Sequence, residues 1–422
     1  MRTTRIPAPA HPEITETVAR IIGDVAERGD AAVRNWSVRL DRWERDSFRL
    51  DDAEIERVLA SVPGPVVDDI RFSQAQVRRF AEAQRAAITD VEVETLPGVT
   101  LGHVNIPVAS AGAYVPGGRY PMVASAHMSV VTAKVAGVER VASCTPPVAG
   151  EPPAETIAAM RLAGADEMYC LGGVQAIAAL ALGTETIAPV DLVTGPGNPY
   201  VVEAKRQLFG RVGIDLLAGP TEILVVADET ADAELVAADL LGQAEHGPDS
   251  RATLVTTSAE LAGEVEHEIA RQLESLPTAD LAWAAWRNHG EVHVVGNDDE
   301  ALHMADAFAS EHVEVHTRDP DWYLARMRNY GSMFLGEATT VAYGDKTIGT
   351  NHILPTGGAA RYTGGLWVGK YLKTLTYQRA TREASAEIGE VCARQCRVEK
   401  FEAHARSCDL RVERWRTGGS RR

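Results

Sequence analysis

Between residues 138 and 308, short β-branched runs alternate with amphipathic helix patterns, and this alternation constrains the fold more than any other feature of the chain. "VERVASC" is followed by "DEMYCLGG" and the helix pattern "VQAIAALALG", then by "VDLVTGPGN" and "PYVVEAKRQLFG". A second series starts at "EILVVAD" and its helix "TADAELVAA", then runs through "RATLVTTS", "AELAGEVEHEIARQLES", "EVHVVG" and "DEALHMADAFA". A helix between two strands returns the chain to the same end of the sheet, so the strands pair in parallel and helices cover both faces. Two series predict two α/β lobes with mainly parallel sheets, and ligands in such folds sit at the carboxyl ends of the strands. Ahead of them, residues 12–90 read as helical with a break at Gly29. Past residue 336 the chain turns to loop chemistry, and a long charged helix pattern begins near residue 380. The last six residues, "TGGSRR", are expected to fray.

The chain's 422 residues are too many for one small core, and 45% of them are apolar, which suits ordinary globular burial. The net charge of -17 provides no cationic footprint for nucleic acid or an anionic membrane, and neither is expected as a partner. The amino-terminal sequence contains no apolar core of signal-peptide length, and no stretch of about 18 apolar residues occurs, so a soluble, cytoplasmic protein is expected. The five cysteines, Cys144, Cys170, Cys392, Cys396 and Cys408, form no C-x-x-C pair and read as reduced core thiols.

Several short segments carry polar groups where a core is expected. In "LLGQAEHGPDS", the stripe through Val236 and Leu240 ends in the amide of Gln243, and His246 follows three residues later, facing the same way. The pair reads either as metal ligands or as hydrogen-bonded groups at a helix end. Asp345 and His352, in "YGDKTIGTNHILP", could add ligands or simply make turns. His404 shares a helix face with Phe401 and Cys408, as a packed histidine would. "TGPGNPYVVEAK" places Gly195, Pro196, Gly197 and Asn198 between a strand and a helix, either as a tight turn or as a phosphate cradle; Tyr200 stands where a third glycine would complete G-x-G-x-x-G. In "SEHVEV", Glu311 and His312 can divide acid and base work only if they lie at the start of the strand, before the pleat separates neighbouring side chains.

Taken in order and spacing, "GAYVPGG", "GGVQAIAAL", "TGPGNPYVVEAK", "GIDLLAGPTEILVVAD", "GQAEHGPD", "SEHV" and "GDKTIGTNHILPTGGAAR" resemble the histidinol dehydrogenase family over about residues 15–415. The resemblance implies an α/β fold with two Rossmann-like lobes, a helical amino-terminal segment and an extended helical carboxyl-terminal arm. Residues 1–113 with 221–366 would form the lobe bearing zinc and the acid/base pair, 114–220 the NAD lobe, and 367–422 the dimerisation arm. It also implies a zinc ion held by Gln243, His246, Asp345 and His404, the last supplied by the partner subunit of a homodimer. Glu311 and His312 match the acid/base pair, Tyr114, Gln175 and Asn198 the NAD contacts, and Thr221, His352 and Glu399 positions lining the substrate pocket. The activity implied is oxidation of a primary alcohol through an aldehyde to a carboxylate, with two hydrides passed to two NAD molecules in turn.

Some segments depart from the family pattern. "YPMVASAHMS" carries His127 and Met128 where serines and apolar residues are usual, Thr221 replaces a serine in "AGPTE", and Lys370 and Tyr371 replace an acidic-aromatic pair. These segments resemble the sulfopropanediol 3-dehydrogenase branch, which converts (R)-2,3-dihydroxypropane-1-sulfonate to sulfolactate, and His127 is expected to meet the sulfonate. The alternatives are L-histidinol oxidation for histidine biosynthesis and a catalytically silent metal-binding relative. Retention of both Glu311 and His312 argues against the last.

Overall fold

The computed structural model describes residues 12–117 and 121–416; the tail segment "TGGSRR" lies outside the described residues. In chain order its strands are β1 (Val91–Leu96), β2 (Val99–Pro107), β3 (Ser110–Tyr114), β4 (Arg140–Thr145), β5 (Glu167–Cys170), β6 (Leu192–Thr194), β7 (Gly213–Ile214), β8 (Glu222–Ala227), β9 (Arg251–Thr256), β10 (Gly290–Val294), β11 (His312–His316), β12 (Ser332–Leu335) and β13 (Leu372–Ala380). Two five-stranded sheets, ordered β5-β4-β3-β6-β7 and β10-β9-β8-β11-β12, are parallel throughout, as the alternation predicts. A third sheet, β1-β2-β13, is antiparallel.

The chain separates into two compact units, Met1–Arg85 with Val108–Tyr371, and Ala86–Pro107 with Leu372–Arg422. This corrects the expected division in three places. A boundary at 113/114 would cut β3, which is buried along its length and pairs with β4 and β6 at the middle of its sheet. The amino-terminal helices belong with that β3 sheet rather than with the lobe bearing Glu311. Helix Pro12–Arg28 packs on helices Gly173–Leu182 and Pro199–Leu208, Leu50 N–H donates to Met168 O at 2.9 Å, and the Trp43 indole donates to Cys170 O at 2.9 Å. Lastly, the carboxyl-terminal segment is not purely helical, because β13 pairs with β2 along nine residues.

The β8–β12 sheet has an apolar core on each face. Ile223, Val225 and Ala227 pack with Val236, Leu240 and Leu241 of helix Ala233–Ala244 on one side, while Leu224, Val226, Val313 and Val315 pack with Ala301, Ala305 and Tyr323 on the other. Helix Ala233–Ala244 begins at Asp232, whose carboxylate accepts from the Glu234 and Leu235 N–H groups. Because the helix runs back across its sheet, its carboxyl end lies over the amino ends of the strands. Its last buried polar residue is Gln243.

Candidate active site

Glu311 immediately precedes β11 and His312 is its first residue, so the two adjacent side chains share one region, as the sequence reading required. The site is therefore at the amino ends of β8 and β11, not at the carboxyl ends expected of the lobe. Both residues are buried. Glu311 Oε2 accepts from Thr221 Oγ1 at 2.5 Å and from the Glu222 N–H at 3.0 Å, which leaves Oε1 as the oxygen available to a ligand. His312 Nδ1 lies 3.1 Å from Glu222 O; a carbonyl only accepts, so Nδ1 carries a proton and Nε2 is the position whose protonation can change. Among the described residues Nε2 has no hydrogen-bond partner; it stands 3.5 Å from Asp345 Oδ1, within ion-pair range.

Burial pushes the Glu311 carboxyl up to about 7, against the opposing pull of His312 and Thr221. Burial would depress His312, but the charges of Glu311, 3.6 Å away, and of Asp345 outweigh it and hold the imidazole up at about 9. Burial likewise acts to raise Asp345, and its interaction with His312, 3.5 Å away, together with the charges of His352 and Lys346, wins and keeps it ionised.

Gln243 is buried, and its Nε2 donates to Thr221 Oγ1. The Thr221 hydroxyl thus links Gln243 to Glu311 and turns the amide so that Oε1, a metal-ligating oxygen, is the free end. His246 lies beyond the helix end at Ala244 and is exposed, a correction to its expected place on the inward face. Crowding by protein atoms lowers its pKa, Asp345 opposes, and Lys346 and His312 reinforce the shift, so these groups are close enough to feel one another's charge. An amide oxygen, an imidazole and an ionised carboxylate are a donor set that suits zinc with one position still to fill. His404 belongs to the other compact unit, on helix Glu402–Arg416, where it is exposed and its ring lies 5.4 Å from that of Phe401. Glu399 is also in that unit, at the carboxyl cap of helix Arg382–Val398.

The residues matched to NAD gather at the carboxyl ends of β3, β5 and β6. Tyr114 ends β3, and its buried hydroxyl accepts from the Gly173 N–H at 3.3 Å. Gln175 is the polar residue in an otherwise apolar, buried helix; its Nε2 donates to Asp41 at 2.9 Å, while its buried Oε1 has no partner among the described residues. Asn198 caps helix Pro199–Leu208, accepting from the Tyr200 and Val201 N–H groups at 3.0 and 3.1 Å. Gly195 has φ +116°, and a Cβ there would come 2.0 Å from Tyr114 O, so no larger residue fits the turn. A buried Lys205–Asp215 pair fixes this turn, Lys205 Nζ donating to Gly195 O and the Gly195 N–H donating to Asp215. The order of the sheet reverses between β3 and β6, the usual place for a dinucleotide crevice.

His127 opens a π-helical stretch, His127–Val131, and is buried with Nδ1 3.0 Å from Gln74 Nε2. Gln74 Nε2 also donates to Ala159 O, which fixes the amide's orientation and makes His127 Nδ1 an acceptor. Burial pushes the imidazole down to about 4, with His352 adding to the effect. Without a ligand His127 is therefore neutral, with Nε2 as its donor. His352 Nδ1 faces Asp345 O at 2.9 Å and its Nε2 faces Ser125 Oγ at 3.1 Å, tying the Asp345 loop to the segment that carries His127. Tyr371 is in the core, where its hydroxyl donates to Ser129 O at 2.9 Å.

The sequence reading missed a deeper polar set. Glu314 and His316 follow His312 on the same face of β11; Asp239 lies one turn before Gln243; and Thr340 and Val341 lie one turn before Asp345. Glu314 accepts from the Val341 N–H at 2.7 Å, Asp239 accepts from Thr340 at 2.7 Å, and His316 Nε2 is 3.4 Å from Glu314. The strict polar spacing of "HVEVH" in a strand whose two faces are both covered was the available signal.

The sequence pattern described as histidinol dehydrogenase matches residues 5–412. A histidinol dehydrogenase homolog of Shouchella clausii is 60% identical over 406 residues, covering 96% of each chain. The sulfopropanediol 3-dehydrogenase of Ruegeria pomeroyi is 47% identical over 406 residues, covering 96% of this chain and 93% of that protein. The crystal structure of histidinol dehydrogenase from Elizabethkingia anophelis superposes with a TM-score of 0.92 at 31% identity, covering 96% of this chain and 94% of that one. The chain belongs to the histidinol dehydrogenase family and is an NAD-dependent oxidoreductase acting on an alcohol by way of the aldehyde.

Proposed function

We propose that this enzyme oxidises (R)-2,3-dihydroxypropane-1-sulfonate to sulfolactate, with zinc at Gln243, His246, Asp345 and a His404 supplied by a second copy of the chain. The observation that carries the chemistry is the pair at the amino end of β11, with one imidazole nitrogen and one carboxylate oxygen each left uncommitted. Once deprotonated, His312 receives the proton of the substrate hydroxyl at Nε2, while Glu222 O holds the opposite ring nitrogen in place. Glu311 Oε1 takes a proton from the water that hydrates the aldehyde, its other oxygen being anchored by Thr221 and Glu222. Tyr114, Gln175 and Asn198 would hold NAD, two molecules of which, bound in turn, would each supply the acceptor for one hydride. The zinc these residues would hold would supply Lewis acidity toward the substrate oxygen.

The sulfonate reading rests on the similarity to the Ruegeria sulfopropanediol 3-dehydrogenase, together with the Nε2 donor of the neutral His127. Thr221 acts in this scheme by orienting Gln243 and Glu311, whatever further contact it makes with substrate. His352 and Glu399 complete the proposed pocket. Exposed Val398 and Phe401 on the arm that carries His404 support a homodimer with shared sites. NADH formation should be measured with the sulfonate diol, L-histidinol and glycerol. The expected result is the highest kcat/KM with the sulfonate diol and two NADH per molecule consumed. A higher value with L-histidinol would transfer the assignment to histidine biosynthesis.

A further inference from the structure

Three of the five cysteines, expected to be scattered core thiols, meet in the carboxyl-terminal helical hairpin. Cys392 and Cys396 lie one turn apart on helix Arg382–Val398, and Cys408 faces them from helix Glu402–Arg416. Their three Sγ atoms lie within 4.8 Å of one another, with Cys392 and Cys396 at 4.0 Å. Cys392 is exposed and the other two are half-buried, whereas Cys144 and Cys170 are fully buried. Gly389 makes the close approach possible: a Cβ there would stand 2.8 Å from Val412 Cγ2 and 3.5 Å from Cys408 O. The hairpin turn is tight, with Lys400 at φ 64° and the Phe401 N–H donating to Cys396 O at 2.8 Å.

We propose that Cys392, Cys396 and Cys408 form a three-thiolate site for a soft, filled-shell metal ion of the zinc and cadmium class. A packing role does not require sulfur at three converging positions, one of them open to solvent. A disulfide uses only two of the three, and within one helix the i,i+4 pair is poorly placed for it, since Cβ atoms about 5–6 Å apart exceed the usual disulfide span. Three thiolates match soft-metal preference, and the exposed Cys392 gives an entry path, with water completing a tetrahedral shell. Contact with Cys392 pushes the Cys408 thiol up to about 11, and burial, Cys392 and Glu399 raise Cys396, so without metal both remain protonated at neutral pH. Metal binding exchanges the thiol protons for metal–sulfur bonds with no redox change.

The test uses full-length, reduced, chelator-treated protein titrated with Cd(II) alone. Sulfur-to-cadmium charge-transfer absorption arises only from thiolate ligands, so binding at Gln243, His246 and Asp345 does not contribute to it. The expected result is a band saturating with one ion per chain, present in His246→Ala and in the Cys144→Ser/Cys170→Ser double variant, and lost in Cys396→Ser and Cys408→Ser. Peptide-mapped alkylation of the unaltered protein supplies a readout independent of how the variants fold. Cd(II) should protect Cys392, Cys396 and Cys408 and leave Cys144 and Cys170 unchanged. Absence of the band, its persistence in both serine variants, or equal alkylation with and without Cd(II) overturns the proposal.

Discussion

Thr221 illustrates how one hydroxyl can govern two functional side chains. It donates to Glu311 Oε2 and accepts from Gln243 Nε2, so the proposed base and the proposed metal ligand share one orienting atom. Thr221→Val should weaken zinc retention by about 10–100-fold, as loss of a group that orients a ligand generally does, and Thr221→Ser should restore it. Metal content after graded chelator dialysis checks this; equal retention in the valine and serine variants would remove Thr221 from the positioning role. At Glu311, the charge that holds His312 near 9 is the one removed by Glu311→Gln. The pH at which first-hydride transfer is half-maximal should therefore fall, because a less stabilised imidazolium loses its proton sooner. Rapid mixing should also show the first NADH formed promptly and the second late; unchanged pH dependence with equal loss in both phases would mean that Glu311 neither tunes His312 nor hydrates the aldehyde. His127→Leu deletes a neutral donor, so the cost should be about 0.5–1.5 kcal/mol, a roughly 2- to 13-fold loss in kcat/KM with the sulfonate diol. A loss of the same size with glycerol would assign His127 to packing alone.

At the scale of elements, β11 shows what the sequence made legible and what it did not. The alternation of strand and helix from β8 through β10 follows from period and residue type, and so does the condition that Glu311 and His312 can share a site only where a strand begins. That the site would lie at the amino end of its sheet did not, because it depends on how far helix Ala233–Ala244 runs back before Gln243. The antiparallel β1-β2-β13 sheet was missed for a related reason: β1 and β13 are more than 270 residues apart in sequence, and their exposed, charged residues give no core stripe. Glu314 and His316 would read as solvent-facing in an open sheet, yet here the strand is covered on both sides. Their cluster has a consequence for stability. Burial first, then Glu314, pushes Asp239 up to about 7, far above an unfolded aspartate. Between about pH 4 and 7 the folded state then holds a proton that the unfolded state has lost, so this group's contribution to stability falls as pH rises through that window. Asp239→Asn should flatten the fall. Denaturant unfolding at pH 5 and pH 8 gives the answer, and a wild-type pH dependence left intact by the substitution would show that Asp239 is already ionised in the folded protein.

For the whole molecule, the decisive point is that the proposed zinc set is split between two compact units. Gln243, His246 and Asp345 lie in one, with His312; His404 lies in the other, on a helical hairpin exposing Val391, Val398 and Phe401. Exposed apolar side chains of this size on one helix and the turn that follows it fit an arm that is buried against a second copy. If His404 completes the site of the partner, a dimer of one His404→Ala chain and one His312→Asn chain contains one intact site and one doubly impaired site. Each homodimer of either variant contains none. Random reassembly of equal amounts yields half heterodimers, so mixing two nearly inactive proteins should restore about a quarter of wild-type activity in a symmetric, two-site dimer. Recovery must follow subunit exchange in time and vanish when exchange is blocked by crosslinking before mixing. If the mixture stays as inactive as its components after exchange is verified by mass, His404 serves its own chain's site, and the shared-site dimer is wrong.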